Sequence, residues 1–428
     1  MFATTQNTTA KTTSHKVVLP FYLYAALAFA VSTVLLFLST SAFTEHHFHP
    51  HTLAITHTMA LGWGTMIILG ASHQLVPVLI EGELWSNALA YASFVLAAVG
   101  IPLLVYAFYT FNLGTPAQWG GWLINIAILL YLINLAGSIQ KSKTENVHAV
   151  YIFTAAAWLV VTTAVGLMLV FNFTSPFLPA DSLHYLSLHA HLGLGGWFLL
   201  LVIGVGTRLI PMFLISKYDN TKLLWSIFYL LNGSLILFII LFFVNVSNLF
   251  YAIPAVGMLA AIALFFFFCT KAYQQRIRKG VDEPMQVSLI SVVMMALPLI
   301  LLLLLLASLF FVDTNQQIIL AYGFTTFFGW LTAIILGMTF KTLPFIAWNK
   351  VYHKQSGKGK TPNPKDLYNT PVFNYMRLAY MAGFVLFTAG ILLSHIFVMQ
   401  AGAALLLISA LLYNWNVFRL IFHKHPTP

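Results

Sequence analysis

One pattern occurs three times along the chain, and it governs how the rest can fold. It reads His57-Thr58-Met59-Ala60-Leu61-Gly62-Trp63, followed by Gly70 and Pro77. It returns as His191-Leu192-Gly193-Leu194-Gly195-Gly196-Trp197 with Gly204 and Pro211, and again as Phe324-Thr325-Thr326-Phe327-Phe328-Gly329-Trp330 with Gly337 and Pro344. The copies lie 134 and 133 residues apart. Self-similarity at a fixed period marks a repeated structural unit. Two copies carry a histidine six residues before the tryptophan, and the third has Phe324. The repeat indicates an architecture, and the unequal histidines point to a site.

Composition says where that architecture sits. Apolar residues make up 60% of 428 and charged residues 7%. A soluble domain cannot bury that much apolar surface, so the chain reads as a polytopic membrane protein in a lipid bilayer. Apolar runs long enough to cross fall near 20–42, 53–80, 86–111, 119–140, 148–173, 185–215, 222–244, 249–273, 287–312, 316–346, 374–396 and 399–422. Each reaches the ~20 residues a spanning helix needs. The expected fold is all-α and integral to the membrane: twelve transmembrane helices in three pseudo-symmetric four-helix repeats, near 17–145, 146–282 and 283–425, within one membrane domain, 1–428. The motif lies on the second helix of each unit. The N-terminal tail to about Lys16 is polar and Thr-rich, so the first apolar run is expected to be retained as a helix. The longest loop is expected near 347–373 as a solvated connector.

The formal net charge of +10 is read as topology rather than as nucleic-acid binding. If the chain starts on the cytoplasmic side, every Lys and Arg falls in an inner loop, an inner helix end or a tail, as at Lys16, Lys141, Lys217, Arg276 and Lys424. That asymmetry predicts cytoplasmic N and C termini in an inner (cytoplasmic) membrane. The single cysteine, Cys269, excludes an intrachain disulfide and a cysteine-built metal centre. No phosphate-cradling glycine loop is present, which disfavours an ATP-driven pump. Few carboxylates lie within the spans, which disfavours a carboxylate-coupled antiporter.

Fifteen histidines remain to be explained. An ionisable side chain inside a membrane is costly, so each is a functional candidate. His57 and His191 sit at equivalent motif positions, one to two turns below the outer surface. Neutral imidazole is the commonest metal ligand and an axial ligand of haem iron. Two such rings at equal depth are expected to bracket one planar cofactor; the alternative is a pair of interhelical hydrogen bonds. His189 and His191 lie two apart and project roughly 200° from one another on a helix. Either they face two compartments, making His189 a second-site ligand, or His189 faces a polar outer cavity. His46, His47, His49 and His51 crowd the first outer loop, where they could bind copper or zinc or form a solvated, pH-sensitive cap. His73, sixteen residues below His57, reads as structural, near an inner mouth marked by Arg208 and Lys341.

Twelve helices in three groups of four, with histidines near the outer ends of helices 2 and 6, resemble subunit I of the haem–copper oxidases. More closely, His57-Thr58-Met59-x-x-Gly62-Trp63 is similar to the His-Glu-Met-x-x-Gly-Phe element of NnrS-type proteins, and His191 through Thr207-Arg208 is similar to their second histidine helix. The resemblance implies a haem protein, b-type, with copper as a second metal, His57 and His191 as axial ligands, and a redox partner protein or quinol. It implies electron transfer, gas sensing or nitric oxide handling, and possible oxidoreductase activity. Departures limit the carry-over. Helix 7 has no histidine, helix 10 offers Tyr322 and Phe324, and Thr58 stands where the family has Glu. A complete binuclear oxygen-reducing centre is therefore not expected. The rival expectations are a histidine-lined metal-ion or small-solute transporter or channel without haem, and a cofactor-free respiratory subunit.

Overall fold

The computed structural model describes residues 13–142, 146–244, 246–308, 315–355 and 361–425. Twelve helices are long and apolar enough to cross a membrane: α1 His15–Leu38, α2 Pro50–Leu79, α3 Asn87–Tyr109, α4 Thr115–Gln140, α5 Val147–Thr174, α6 Leu186–Leu214, α7 Thr221–Val244, α8 Asn248–Gln274, α9 Glu283–Ser308, α10 Gln316–Tyr352, α11 Thr370–Leu392 and α12 Ile396–Ile421. Among the described residues there is no strand, only one isolated bridge between Ser216 and Arg276. The chain is thus an all-helical membrane protein. Short polar side chains start several of the helices by accepting a free backbone N–H: Ser86 from Leu89, Asn146 from His148, Asp282 from Met285 and Asn369 from Val372.

The three motif helices form the centre. Within their most apolar windows 83% of α2, 72% of α6 and 72% of α10 is buried, against 50% or less for the other nine. The outer helices present exposed apolar residues such as Tyr229, Val244 and Leu378, the surface a lipid environment solvates. The motif glycines explain the close centre. A Cβ added at Gly70 would lie 2.7 Å from the Phe21 Cβ of α1; at Gly204 it would strike Tyr151 of α5, and at Gly337, Ser288 of α9. In each copy the same glycine lets the motif helix press against the helix before it.

A further regularity was not legible in the sequence. Each motif opens into a π-helical stretch at the same register: Thr58–Thr65, Leu192–Leu199 and Thr325–Leu331. Each begins one residue after His57, His191 or Phe324. A π turn inserts a residue per turn and re-aims the side chains around it, a device concentrated at functional sites. The tryptophans then link the copies. Trp63 donates its indole N–H to Thr332 Oγ1 (3.2 Å), and Trp197 donates to Thr65 Oγ1 (3.0 Å). Each acceptor stands two residues after the tryptophan of the neighbouring copy. The third such position is Leu199, which has no hydroxyl. The correspondence is a property of the motif segments; the four-helix units remain an expectation.

One boundary differs from expectation. The connector expected from residue 347 begins later, because α10 continues to Tyr352 and ends in a short turn at His353–Gln355. Trp348 anchors the extra turns by donating its indole N–H to the Pro362 carbonyl (2.7 Å).

Candidate functional site

A cavity of about 770 Å³ lies among the central helices at the ends that carry His57, His191 and Phe324. His57, His189 and His191 all line it, as do Tyr322, Phe324 and His47. Among the described residues that line it there is no Asp, Glu, Lys or Arg. Its wall is apolar with a few neutral polar groups, the usual character of a small-molecule or cofactor site.

The three deep histidines are held alike. His57 Nδ1 lies 2.8 Å from the Leu53 carbonyl, His191 Nδ1 2.7 Å from the Ser187 carbonyl, and His189 Nδ1 3.1 Å from the Thr162 carbonyl. A carbonyl can only accept, so each Nδ1 carries the proton and donates. In a neutral imidazole the other nitrogen, Nε2, then presents a bare lone pair. No Nε2 of the three has a hydrogen-bond partner among the described residues. This is how a metal-binding imidazole is oriented: one nitrogen tied to a backbone oxygen, the other left basic. The partners bear on the hydrogen-bonded alternative. His57 and His191 each donate to their own helix four residues earlier, so neither forms an interhelical hydrogen bond. Only His189, reaching from α6 to α5, does.

The rings pair across the interfaces between motif copies. His57 and His189 lie with ring centroids 6.3 Å apart and planes inclined by 17°. His191 and Tyr322 lie 6.2 Å apart at 22°. In both pairs the residue six before the tryptophan of one copy faces the residue eight before the tryptophan of the next. At the third such pair of positions stand Phe324 and Ile55. Phe324 is buried against Phe328, Phe387 and Phe384, at 4.9, 4.5 and 6.0 Å. The sequence expectation set His57 opposite His191; the structure brings His57 to His189 and His191 to Tyr322. The expected divergence of His189 and His191 is present, with both rings on one cavity.

Gly166, which sequence reasoning passed over, and Tyr322, named there only as a departure on helix 10, shape the site. A Cβ at Gly166 of α5 would sit 2.8 Å from His189 Cε1, so the His189 ring lies directly on that glycine. Tyr322 occupies the motif position of His189, a correspondence visible once the copies are aligned on tryptophan.

The first outer loop is built differently. His46 Nδ1 accepts from the Phe48 N–H (3.1 Å) and His49 Nδ1 from the His51 N–H (3.2 Å). His47 donates both its Nδ1–H (2.9 Å) and its backbone N–H (3.3 Å) to Gln316 Oε1, which ties the loop to the start of α10. His51 stacks on Tyr109 at 4.2 Å. His49 Nε2 lies 3.6 Å from Glu45. Among the described residues no group of three or more His, Cys, Asp or Glu side chains is placed to hold a metal ion. At the inner end His73 is buried with neither ring nitrogen partnered, against Phe21 and Tyr131 at 5.3 and 5.5 Å. Lys341 pairs with Asp282 at 2.6 Å.

Comparison with protein-family models and with curated proteins finds no match to this chain.

Proposed function

We propose that the cavity holds a haem, and that the protein serves electron transfer or nitric oxide handling in the inner membrane. The observation that carries this reading is the His57–His189 pair. Imidazoles bound end-on to opposite sides of one iron, at ~2 Å per metal–nitrogen bond, have ring centres roughly 6 Å apart. The two rings lie 6.3 Å apart, near-parallel, each with Nδ1 engaged and Nε2 free. The cavity volume falls within the ~300–1,000 Å³ typical of cofactor sites. With Cys269 the single cysteine, on α8 away from the cavity lining, attachment is non-covalent, as in a b-type haem. Among the described residues the lining offers a haem's carboxylates no Lys or Arg, leaving Asn248 and nearby hydroxyls as their partners.

A bound haem would supply a one-electron iron couple. The protein's own residues do the rest. Leu53 and Thr162 fix the tautomer and aim of the two imidazoles, Gly166 gives His189 its place, and the apolar wall excludes water. Among the described residues α7 and α10 bring no histidine to the wall: α7 contributes Ser234, Leu235, Phe238 and Phe242, and α10 contributes residues such as Tyr322 and Phe324. The proposal therefore does not extend to oxygen reduction. A metal-ion transporter is the weaker reading, since no Asp, Glu, Lys or Arg among the described residues lines the cavity.

Haem content per chain, measured on purified protein by conversion to the pyridine complex, tests the reading. Stoichiometric haem in the wild type that falls below a tenth in His57→Ala supports it. A wild type without haem defeats it.

A further inference from the structure

We propose that the end of the bundle where α1 begins and α10 and α12 finish binds the phosphate of an anionic phospholipid, with Arg419 and Lys350 as its principal partners. The site is separate from the cavity and needs no haem. Its first support is the way the three helices are joined. Tyr22 of α1 and Thr342 of α10 share a hydrogen bond of 3.1 Å, and Thr339 of α10 and Tyr413 of α12 share another of 3.1 Å. Asn414 of α12 donates to the Ala26 carbonyl of α1 at 2.8 Å. The three helices therefore lie side by side at this end. There Lys350 Nζ donates to the Ile421 carbonyl at 2.7 Å, and Tyr352 Oη and His423 Nε2 share a hydrogen bond of 3.0 Å. Lys350 acts electrostatically on His423 and on His15 of α1, and Arg419 acts on His423 as well. Lys16, Lys350, Lys354 and Arg419 are all exposed, and no ion pair engages them among the described residues.

The charge here has one sign. α1, α10 and α12 contain no Asp or Glu, and neither do the segments before α1 and after α12. Other connections at this end of the bundle mix signs. Glu81 and Glu83 follow α2, Asp219 follows α6, and Asp282 precedes α9, where it pairs with Lys341. Asp366, in the connector after α10, accepts from Asn363 and lies with Asp282 near Tyr368, toward α9. Like charges gathered without a counter-charge repel one another and attract an anion. The surroundings select a lipid. On α12 Ile408, Leu411 and Trp415, each about half exposed, precede Arg419 at spacings of three and four that keep to one outward face. An acyl chain laid along that stripe brings its phosphate to Arg419, whose guanidinium lies 5.8 Å from the Trp415 ring. Trp favours the headgroup level of a bilayer, and Arg grips a phosphate through two parallel N–H bonds. The carbonyls that end α12 repel an anion, but Lys350 covers that of Ile421 and keeps two further ammonium hydrogens for the lipid. A zwitterionic lipid brings its own cation into the cluster and loses the advantage. A soluble acidic protein has no use for the apolar stripe.

The test is native mass spectrometry of the full chain in a non-ionic detergent, titrated with dioleoyl phosphatidylglycerol or with dioleoyl phosphatidylcholine. Phosphatidylglycerol should bind about tenfold more tightly than phosphatidylcholine. Arg419→Gln and Lys350→Gln should each weaken it about fivefold, and Arg419→Lys, which keeps the charge but not the fork, should lose less. Lys222→Gln, which removes an exposed cation at the same end on α7, should leave the affinity unchanged. Glycerol 3-phosphate at the lipid's concentration should not compete. Equal affinity for the two lipids overturns the proposal. So does an equal loss in Lys222→Gln and Arg419→Gln, which would mark a diffuse attraction to the whole charged end. Displacement by glycerol 3-phosphate overturns the assignment to a lipid in favour of a soluble phosphate.

Discussion

His57 and His189, 132 residues apart in sequence, face each other at 6.3 Å with their planes 17° from parallel, each anchored through Nδ1 to a backbone carbonyl. The pair makes His189, rather than the repeat-equivalent His191, the partner of His57. His189→Ala should therefore remove haem as completely as His57→Ala, whereas His191→Ala should leave most of it bound. Optical spectra of the three variants at equal protein concentration decide the matter. Loss confined to His57→Ala and His191→Ala would restore the pairing expected from the sequence.

Gly166 gives a second, steric test. A methyl group there meets His189 Cε1 at 2.8 Å, closer than a real Cβ contact tolerates. Gly166→Ala should displace the ring and shift the bound haem's spectrum toward a five-coordinate form, with the helices intact by circular dichroism. Gly233→Ala on α7, away from the cavity, where an added Cβ meets nothing within 4 Å, should leave the spectrum unchanged.

The link between Trp63 and Thr332 holds the centre together away from the cavity wall. Thr332→Val leaves the buried Trp63 N–H without its acceptor. The expected cost is about 1–3 kcal/mol of stability, read as a lower unfolding midpoint in detergent with haem content per folded chain unaltered.

The outer loop should respond to pH. Burial pushes His47 below the ordinary imidazole range, against the raising effect of its Gln316 hydrogen bond. A lowered value in the folded protein means the docked loop favours the neutral ring. The stability it contributes is full above the unfolded value near 6.5 and is lost as pH falls below it. Hydrogen-exchange protection across the segment around His47, corrected for the intrinsic pH dependence of exchange, should weaken as pH falls below about 6.5, and His47→Gln should flatten that dependence. Removing all four loop histidines should leave haem content intact; the same set in wild type and variant, assayed for copper by elemental analysis, tests whether the loop carries that metal.

The spans were legible because each apolar run is long and bounded by polar residues, and most expected ends fall within a few residues of the helices. The motif was legible as a repeat, and with it the central place of α2, α6 and α10. The pairing was not. Equal depth suggested that His57 and His191 face one another, but equivalent positions on helices arranged around a centre each turn toward the next interface. There they meet a residue at a different register, which is how Tyr322 comes to stand where His189 does. The π turns behind His57, His191 and Phe324 add to this, since a helix period of 3.6 does not describe them. The α10 extension was missed because Trp348 finds its partner, Pro362, only in the folded chain.

Orientation is open to a direct chemical test. Loops following α1, α3, α5, α7, α9 and α11 contain no Lys or Arg, a pattern that predicts an outside placement for them. In a Cys269→Ser background, a cysteine at Ser41 should react with an impermeant maleimide in intact cells and one at Asp219 only after lysis.

The most direct measurement is the reduced-minus-oxidised absorption spectrum of the purified full chain. The account predicts a Soret and an α band of a bis-histidine b-type haem, both abolished in His57→Ala and in His189→Ala while each variant remains folded in the membrane. A colourless wild type, or bands that survive in both variants, would contradict it.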